Sequence, residues 1–191
     1  MGEALPLPPW RPLLRGARER EGRSGSARWL QLATVAADGT PRVRTLVFRG
    51  WAGPACLDLL SDARSAKIGE LASQPAVELL WLLPKARTQF RLRGHCSHGQ
   101  HPDHERDRLH HWHNLSPAGR ALWGWPAPGE PREPDDASFV SALPAEAPVP
   151  NHFALLRIAL QQVEMLQLGP HPHQRVRWRS CSGWEPEPLN P

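Results

Sequence analysis

Short alternating segments joined by tight turns limit what this 191-residue chain can fold into. Residues 28–36 and 43–50 alternate as strands do, and Ala37-Asp38-Gly39-Thr40 between them contains the Asp-Gly pair typical of a β-hairpin. Further segments with strand character lie at residues 56–61, 76–83, 88–96, 153–160, 162–168 and 175–180, with a last short one near Trp184. Because these segments do not alternate with long helices, the pattern predicts a mainly β chain with short helices, folded as an antiparallel barrel. It argues against a Rossmann sheet.

Helical and irregular segments interrupt the predicted strands. They are an N-terminal helix at about 9–22, a short helix at 65–73, a polar helical insert at about 101–125 and a Pro-rich loop at about 126–150. The last of these has no hydrophobic periodicity, which predicts an extended or mobile loop. The length fits one domain that spans residues 1–191.

Charge and composition narrow the class of partner. Lys plus Arg number 23 against 19 Asp plus Glu, a net charge of +4, and the cations are scattered along the chain, so no nucleic-acid partner is predicted. No apolar run approaches the roughly 18 residues of a membrane span. The start also lacks the basic and apolar regions of a signal peptide. Three widely spaced cysteines without a CxxC pair indicate free thiols in a reducing compartment. We therefore expect a soluble, cytoplasmic protein.

One region carries the chemistry of a phosphate site. Arg44 and Arg49 lie on a predicted strand, and a second strand leads into a turn rich in hydroxyls and cations, Ser61 to Lys67, which opens a helix. Free backbone N–H groups and the positive end of the helix dipole join the fixed cations there. Arg44 and Arg49 differ by an odd number, so in a regular strand they face opposite sides. Both reach one ligand only if the strand bends or the ligand crosses its edge; otherwise they are ordinary solvated positions.

The helical insert and its approach are rich in histidine, with seven between residues 95 and 113. His104 and His111 could share a helical face, near Asp103, Glu105 and Asp107. That spacing matches neither the HExxH pattern nor that of a zinc finger. A polar, solvated helix pair is the better interpretation, and no metal site is predicted.

The motifs, taken in their order, resemble those of the pyridoxamine 5'-phosphate oxidase-like, FMN-binding split-barrel proteins. The likeness is greatest to a functionally uncharacterised branch first noted in cyanobacteria. The matching motifs span nearly the whole chain and are Pro9-Trp10-Arg11, Leu30-Gln31-Leu32-Ala33-Thr34-Val35, Arg44-Thr45-Leu46-Val47-Phe48-Arg49, Arg64-Ser65-Ala66-Lys67-Ile68, Gln89-Phe90-Arg91-Leu92-Arg93-Gly94, Pro150-Asn151-His152-Phe153, Trp184 and Leu189-Asn190-Pro191. The resemblance implies an FMN-binding split β-barrel that forms a homodimer and holds FMN non-covalently at the subunit interface.

The resemblance also implies which residues bind the cofactor. They are Arg44, Thr45, Leu46, Val47, Arg49, Leu60, Ser61, Arg64, Ser65, Lys67, Gln89 and Arg175. Ala66 departs from the arginine of the family, and Arg64, two places earlier, is the candidate substitute. The Gln89 amide can donate to and accept from the edge of a flavin ring. His173 is the expected catalytic residue on the substrate side.

The substrate side of the family pattern is not kept. Residues 112–120 lack the tyrosine, arginine and serine that the oxidases use for the substrate phosphate, and the chain contains no tyrosine. Trp112, Trp123 and Trp125 of the insert are well placed to cover a ligand, with core packing as the default interpretation. The resemblance thus implies FMN binding without implying pyridoxamine 5'-phosphate oxidation.

The expected function is therefore that of an FMN-binding oxidoreductase with an unknown small-molecule substrate or electron donor. A non-catalytic flavin-binding carrier or sensor is the alternative from another class. A reductase of the same fold that uses deazaflavin F420, or a heme protein, is a further alternative. The phosphate cluster suits FMN or F420, and no histidine has the context of an axial heme ligand.

Overall fold

The architecture is that of a strand-rich chain with short helices. A computed structural model describes residues 6–98, 102–169 and 171–191. Within them the helices are α1 (Trp10–Glu21), α2 (Ala66–Ser73), α3 (Pro102–His113) and α4 (Pro117–Ala121), and the strands are β1 (Trp29–Val35), β2 (Pro41–Gly53), β3 (Cys56–Asp62), β4 (Ala76–Leu83), β5 (Thr88–His98), β6 (Phe153–Gln167), β7 (Gln174–Arg179) and β8 (Pro186–Leu189). None of these helices has the length and apolar character needed to cross a membrane.

Six strands close into an antiparallel barrel. The strand order is β3-β2-β1-β4-β5-β6, and pairing of β3 with β6 closes the ring. The first half of β6 pairs with β3, whereas its second half leaves the ring and pairs with β7, which in turn pairs with β8. The predicted mainly β, antiparallel barrel is therefore confirmed.

Strand β6 differs from the prediction of two strands that meet at Gln161. It is one strand with a bulge, because Gln161 has no partner on β5 where the register shifts between Arg93 and Gly94. The two backbones approach closely here: a Cβ atom on Gly94 would lie 2.2 Å from the carbonyl oxygen of Ala159. Only glycine allows this approach. The alternation in sequence breaks at the bulge although the strand continues.

Two hydrophobic clusters lie on opposite sides of β3. Leu57 and Leu59 point into the barrel core, to which α1 contributes Trp10 and Leu14. Leu60 belongs to a second cluster beneath the helical insert, with Trp112, Leu115, Trp123, Phe153 and Leu155. Because both faces of β3 are covered, this strand is buried along most of its length. The insert is thereby fixed over the outer surface of the barrel beside β2 and β3.

The Pro-rich loop is packed and not merely an excursion. It contains no strand, and its one regular feature is a 3-10 turn at Asp136–Ser138. Leu143, Ala147 and Val149 pack against the second cluster. Trp112 Nε1 donates a hydrogen bond of 3.2 Å to the carbonyl oxygen of Ala147. The loop therefore forms a wall over the barrel surface.

Candidate functional site

A cavity of about 500 Å³ lies between the outer surface of the barrel and the insert. Its barrel side contains seven of the predicted cofactor residues, namely Thr45, Leu46, Val47, Arg49, Leu60, Ser61 and Lys67. Its insert side is formed by Leu122, Trp123, Trp125, Phe139 and residues 126–133 of the Pro-rich loop. One cavity thus collects positions that are up to 94 residues apart in the chain, from Thr45 to Phe139.

The ammonium group of Lys67 is held by hydroxyls. Its Nζ donates hydrogen bonds to Ser61 Oγ at 3.0 Å and Ser65 Oγ at 2.7 Å. No carboxylate in the described part of the chain forms an ion pair with it. Burial lowers the pKa of Lys67, and the nearby charge of Arg44 lowers that pKa further. Because Lys67 stands in the first turn of α2, the positive end of the helix dipole adds to its charge. An anion would be the natural partner of this group.

Arg49 is a second cation in the same cavity that forms no ion pair with any described residue. Its Nε atom is buried and has no hydrogen-bond partner. Burial lowers the pKa of Arg49, and the charge of Arg28 adds to this effect. A buried N–H group without an acceptor is costly, so a ligand that accepts a hydrogen bond here would be stabilised.

Arg44 lies on the other face of β2, as its odd spacing from Arg49 requires. Its guanidinium donates to Thr34 Oγ1 and, at 2.7 Å, to Oε2 of the buried Glu70. Arg44 therefore does not line the cavity. Its charge is nevertheless close enough to Lys67 to lower the pKa of that residue. The structure places Arg44 behind the predicted phosphate site, under α2.

Arg64, the candidate substitute for the missing family arginine, has another partner. Its Nη2 forms an ion pair of 2.6 Å with Asp62 Oδ2 and donates to the carbonyl oxygen of Trp125 at 3.1 Å. Although burial raises the pKa of Asp62, the hydrogen bonds from Arg64 outweigh this effect and hold it below its ordinary value. Arg64 thus ties the insert to the end of β3 and does not line the cavity.

Gln89, Arg175 and His173 lie on a different surface of the chain. Gln89 on β5 and Arg175 on β7 both stand opposite Leu166 of β6, so their side chains share one face of the sheet. Arg175 pairs with Glu164 at 2.6 Å, and His173 is exposed just before β7. None of the three lines the cavity of its own chain.

The aromatic wall of the cavity was only partly predicted. Of the three tryptophans considered, Trp112 is a core residue, whereas Trp123 and Trp125 line the cavity. Trp123 Nε1 donates to the carbonyl oxygen of Ser61 at 3.2 Å. Phe139 meets Trp125 edge-on with ring centroids 5.6 Å apart. The sequence carries no signal for Phe139, because the surrounding loop has no periodicity.

The histidine-rich insert is anchored by an ionic network. The buried Asp58 accepts two hydrogen bonds of 2.8 Å from Arg157, which also pairs with Asp107 of α3 at 2.8 Å. His111 Nε2 lies 3.0 Å from Asp58 Oδ2. In the described residues no group of three or more His, Cys, Asp or Glu side chains is arranged to hold a metal ion. His101, one of the seven histidines, lies outside the described residues.

Comparison with known proteins relates this cavity to a family. The family model described as pyridoxamine 5'-phosphate oxidase, FMN-binding domain, matches residues 7–99. The pyridoxine/pyridoxamine 5'-phosphate oxidase 2 of Arabidopsis thaliana is 31% identical over 96% of this chain and 97% of its own length. The chain belongs to this family. The resemblance seen in the sequence motifs is therefore confirmed.

Solved structures of the pyridoxamine 5'-phosphate oxidase family agree with this assignment. A pyridoxamine 5'-phosphate oxidase-related, FMN-binding protein from Nostoc punctiforme has a TM-score of 0.90 and 37% identity, covering 98% of this chain and all of its own. PhzG from Burkholderia lata, solved with tetrahydrophenazine-1-carboxylic acid, has a TM-score of 0.82 at 19% identity, with coverages of 98% and 94%. The second likeness shows the fold alone.

FMN is the cofactor of this domain, as the sequence motifs predicted. Two features of the cavity suit the chemistry of FMN. Lys67, bonded to two serine hydroxyls, is a cation that forms no ion pair with a described carboxylate, and Arg49 presents a buried N–H group without an acceptor. A phosphate group satisfies the first, and an oxygen or nitrogen acceptor satisfies the second. The residues present therefore fit a phosphate-bearing cofactor.

Proposed function

We propose that this chain is an FMN-dependent oxidoreductase whose cofactor occupies the cavity between the barrel and the insert. Ser61, Ser65 and Lys67 would hold the phosphate, and Arg49 would contact a hydrogen-bond acceptor of the cofactor. The observation that carries the proposal is that one cavity contains two cationic groups without an anionic partner. They are the Lys67 ammonium, which contacts only hydroxyls, and the Nε–H of Arg49, which has no acceptor. An anionic, acceptor-rich ligand would give the ammonium group an opposite charge and the Arg49 Nε–H an acceptor.

When bound, FMN supplies the hydride or electron chemistry of such an enzyme. The chain supplies placement, charge and exclusion of water. Trp123 and Trp125 cover the cavity from the insert side, and Arg64 keeps this cover in place through its bond to the Trp125 carbonyl. The cations lie in partly buried surroundings, where electrostatic interactions are less weakened by water.

We also propose that a second copy of the chain completes the site. Gln89 and Arg175 share a face of the sheet that does not line the cavity of their own chain. Exposed apolar side chains flank Gln89, among them Leu82, which is 50% exposed, and Leu168. A homodimer that covers this face would bury these side chains and bring Gln89 and Arg175 to the cofactor of the partner.

The two lysines of the chain provide a matched test of the FMN site. Lys67→Ala removes the ammonium group that lines the cavity without an ion-pair partner. Lys85→Ala removes an ammonium group that donates to the carbonyl oxygen of Glu21 and does not line the cavity. We expect the dissociation constant for FMN to rise about tenfold or more in Lys67→Ala, since a charge-assisted hydrogen bond is worth roughly 1.5–3 kcal/mol. Lys85→Ala should stay within about twofold of the parent protein. Titration followed by flavin absorbance measures both, and equal affinities in the two variants would refute the assignment.

A flavin-binding protein without turnover is the second candidate. It is favoured because none of the described residues that line the cavity is a histidine. Of the three carboxylates that line it, Asp62, Glu130 and Glu133, the one on the barrel side, Asp62, is paired with Arg64. Anaerobic mixing of the FMN-loaded protein with NADH or NADPH separates the two. Bleaching of the flavin absorbance band supports the oxidoreductase, and an unchanged spectrum with every donor and substrate tried supports the carrier or sensor. A parallel titration with F420 identifies the reductase alternative if F420 binds more tightly than FMN.

A further inference from the structure

A positively charged groove runs beside α1, apart from the FMN cavity. Two cavities of about 290 and 660 Å³ meet there and share Arg15 and Arg18. We call it the α1 groove, and its defining residues are Arg11, Arg15, Arg18, Arg23, Arg28 and Trp51. The sequence suggests scattered cations, but the helix and the turn that follows it bring five arginines together. The reason is that Arg11, Arg15 and Arg18 follow the spacing of one helical face.

The groove has almost no compensating negative charge. Glu19 is the one carboxylate that lines it in the described chain, and its Oε1 lies 3.8 Å from Arg15 Nε, with Arg15 72% exposed. Such an exposed pair contributes little. Glu21, which ends the same helix, turns inward and accepts hydrogen bonds from Ser26 Oγ at 2.7 Å and from the backbone N–H of Lys85 at 2.7 Å. The Glu21 carboxylate is therefore satisfied by donors inside the fold and does not line the groove.

Arg11 is held in position by part of its guanidinium group, and another part remains available as a donor. Its Nη1 donates to the carbonyl oxygens of Gly53 at 3.0 Å and Pro54 at 2.6 Å, and its guanidinium carbon lies 3.6 Å from the ring centroid of Trp51. No hydrogen bond in the described chain uses its Nη2 atom. Burial, reinforced by the charges of Arg18 and Arg15, lowers the pKa of Arg11 to about 10.

Arg18 is fixed in a similar way at the junction of the two cavities. Its Nε donates to the carbonyl oxygen of Ala27 at 2.9 Å, and its guanidinium lies 4.5 Å from the ring of Phe48 and 4.8 Å from that of Trp81. Within the residues described, neither of its Nη atoms has an acceptor. Two guanidinium groups are thus oriented by the fold in advance, which reduces the entropy lost when they bind an anion.

The arrangement points to a ligand with more than one negative charge. Five arginines and one carboxylate line the two adjoining cavities, so a ligand with two linked phosphates offers more acceptors to these guanidinium groups than a single phosphate does. Arginine matches phosphate oxygens through two parallel hydrogen bonds. We propose that the α1 groove binds the diphosphate group of a small molecule.

A charge-matched pair of double variants tests the proposal. Arg15→Glu/Arg23→Glu reverses two exposed groove charges, and Arg20→Glu/Arg106→Glu makes the same change in net charge at exposed positions outside the groove, Arg106 being 92% exposed. Pyrophosphate, ADP and orthophosphate are titrated by calorimetry into the FMN-loaded protein. We expect pyrophosphate or ADP to bind more tightly than orthophosphate. Affinity should fall about tenfold or more in the groove variant, equivalent to about 1.4 kcal/mol, and by less than about twofold in the control.

Several results would overturn the proposal. Equal losses in the two double variants would mean that only net charge matters, and orthophosphate binding as tight as pyrophosphate would exclude a diphosphate site. Binding of single-stranded RNA without binding of pyrophosphate would make the groove a nucleic-acid surface. Repeating the titration with Lys67→Ala distinguishes binding in the α1 groove from binding in the FMN cavity. Pyrophosphate that still binds this variant occupies the groove even if the FMN assignment fails, and loss of binding here would place it in the FMN cavity.

Discussion

At the scale of single residues, the proposed cofactor site depends on cations that form no ion pair with a carboxylate in the described part of the chain. Lys67 contacts two hydroxyls, whereas Arg44 is neutralised by the buried Glu70. The difference decides which group attracts an anion, because a paired guanidinium has less to gain from a ligand. Burial and the charge of Arg44 both disfavour the protonated form of Lys67, which lowers its pKa. A bound phosphate would favour the protonated form of Lys67 and raise its pKa.

This balance predicts a pH dependence of FMN affinity. Since the pKa of Lys67 is below the ordinary lysine value, the free protein loses this charge at a lower pH than an exposed lysine does. FMN affinity should therefore weaken as the pH is raised towards the ordinary lysine pKa of about 10.4, and the dependence should be reduced in Lys67→Ala. Fluorescence titration at several pH values measures it. The same slope in parent and variant would show that another group is responsible.

At the scale of elements, the insert contributes to the site because α3 is fastened to the barrel wall. Asp58 of β3, only 4% exposed, accepts from Arg157 of β6 and lies within hydrogen-bond distance of His111 of α3. Burial raises the pKa of Asp58, but the hydrogen bonds from Arg157 and His111 more than offset this and lower it. Three elements therefore depend on one carboxylate for their mutual position.

Asp58→Asn is expected to destabilise the protein by about 3–5 kcal/mol, the usual cost of removing one partner from a buried ion pair. Because the folded-state pKa of Asp58 is lowered, its contribution is complete above the ordinary aspartate pKa of about 3.9 and disappears as the pH falls through the folded-state value. Urea unfolding at neutral and acidic pH measures both effects. Asp136→Asn, in an ion pair whose carboxylate is 88% exposed, is the control and should change stability by about 0.5 kcal/mol or less. Equal effects in the two variants would contradict the anchoring role.

At the scale of the whole molecule, the sequence predicts the barrel and the barrel side of the cavity better than its cover. The Asp-Gly hairpin and the alternating strands are local signals, and the hydroxyl-rich turn before α2 is likewise contiguous. Pairing of Arg44 with Glu70 and of Arg64 with Asp62 could not be predicted, because each depends on side-chain geometry. Phe139 reaches the cavity through a loop without periodicity, so its position depends on tertiary packing alone.

The assembly is tested at the exposed face that carries Gln89. Leu82→Glu places a charge beside Gln89 on a face that the proposed dimer buries, so we expect the dimer to dissociate and FMN affinity to fall. Leu13→Glu, at an exposed position on α1, is the matched control. Sedimentation velocity gives the mass of each variant, and flavin absorbance gives the bound fraction. A dimer that persists in Leu82→Glu would place the interface elsewhere.

Closure of the barrel by β3 and β6 has a consequence for how the chain acquires its structure. Asp58 and Arg157, which meet across this seam, are 99 residues apart in sequence. During synthesis, β1 to β5 are complete while one edge of β3 is still unpaired. This edge stays unpaired until the insert, the loop and β6 have been synthesised. Contacts of such long sequence separation form slowly, and an open strand edge invites pairing with another chain. The nascent protein is therefore most vulnerable to aggregation between the completion of β5 and the arrival of β6.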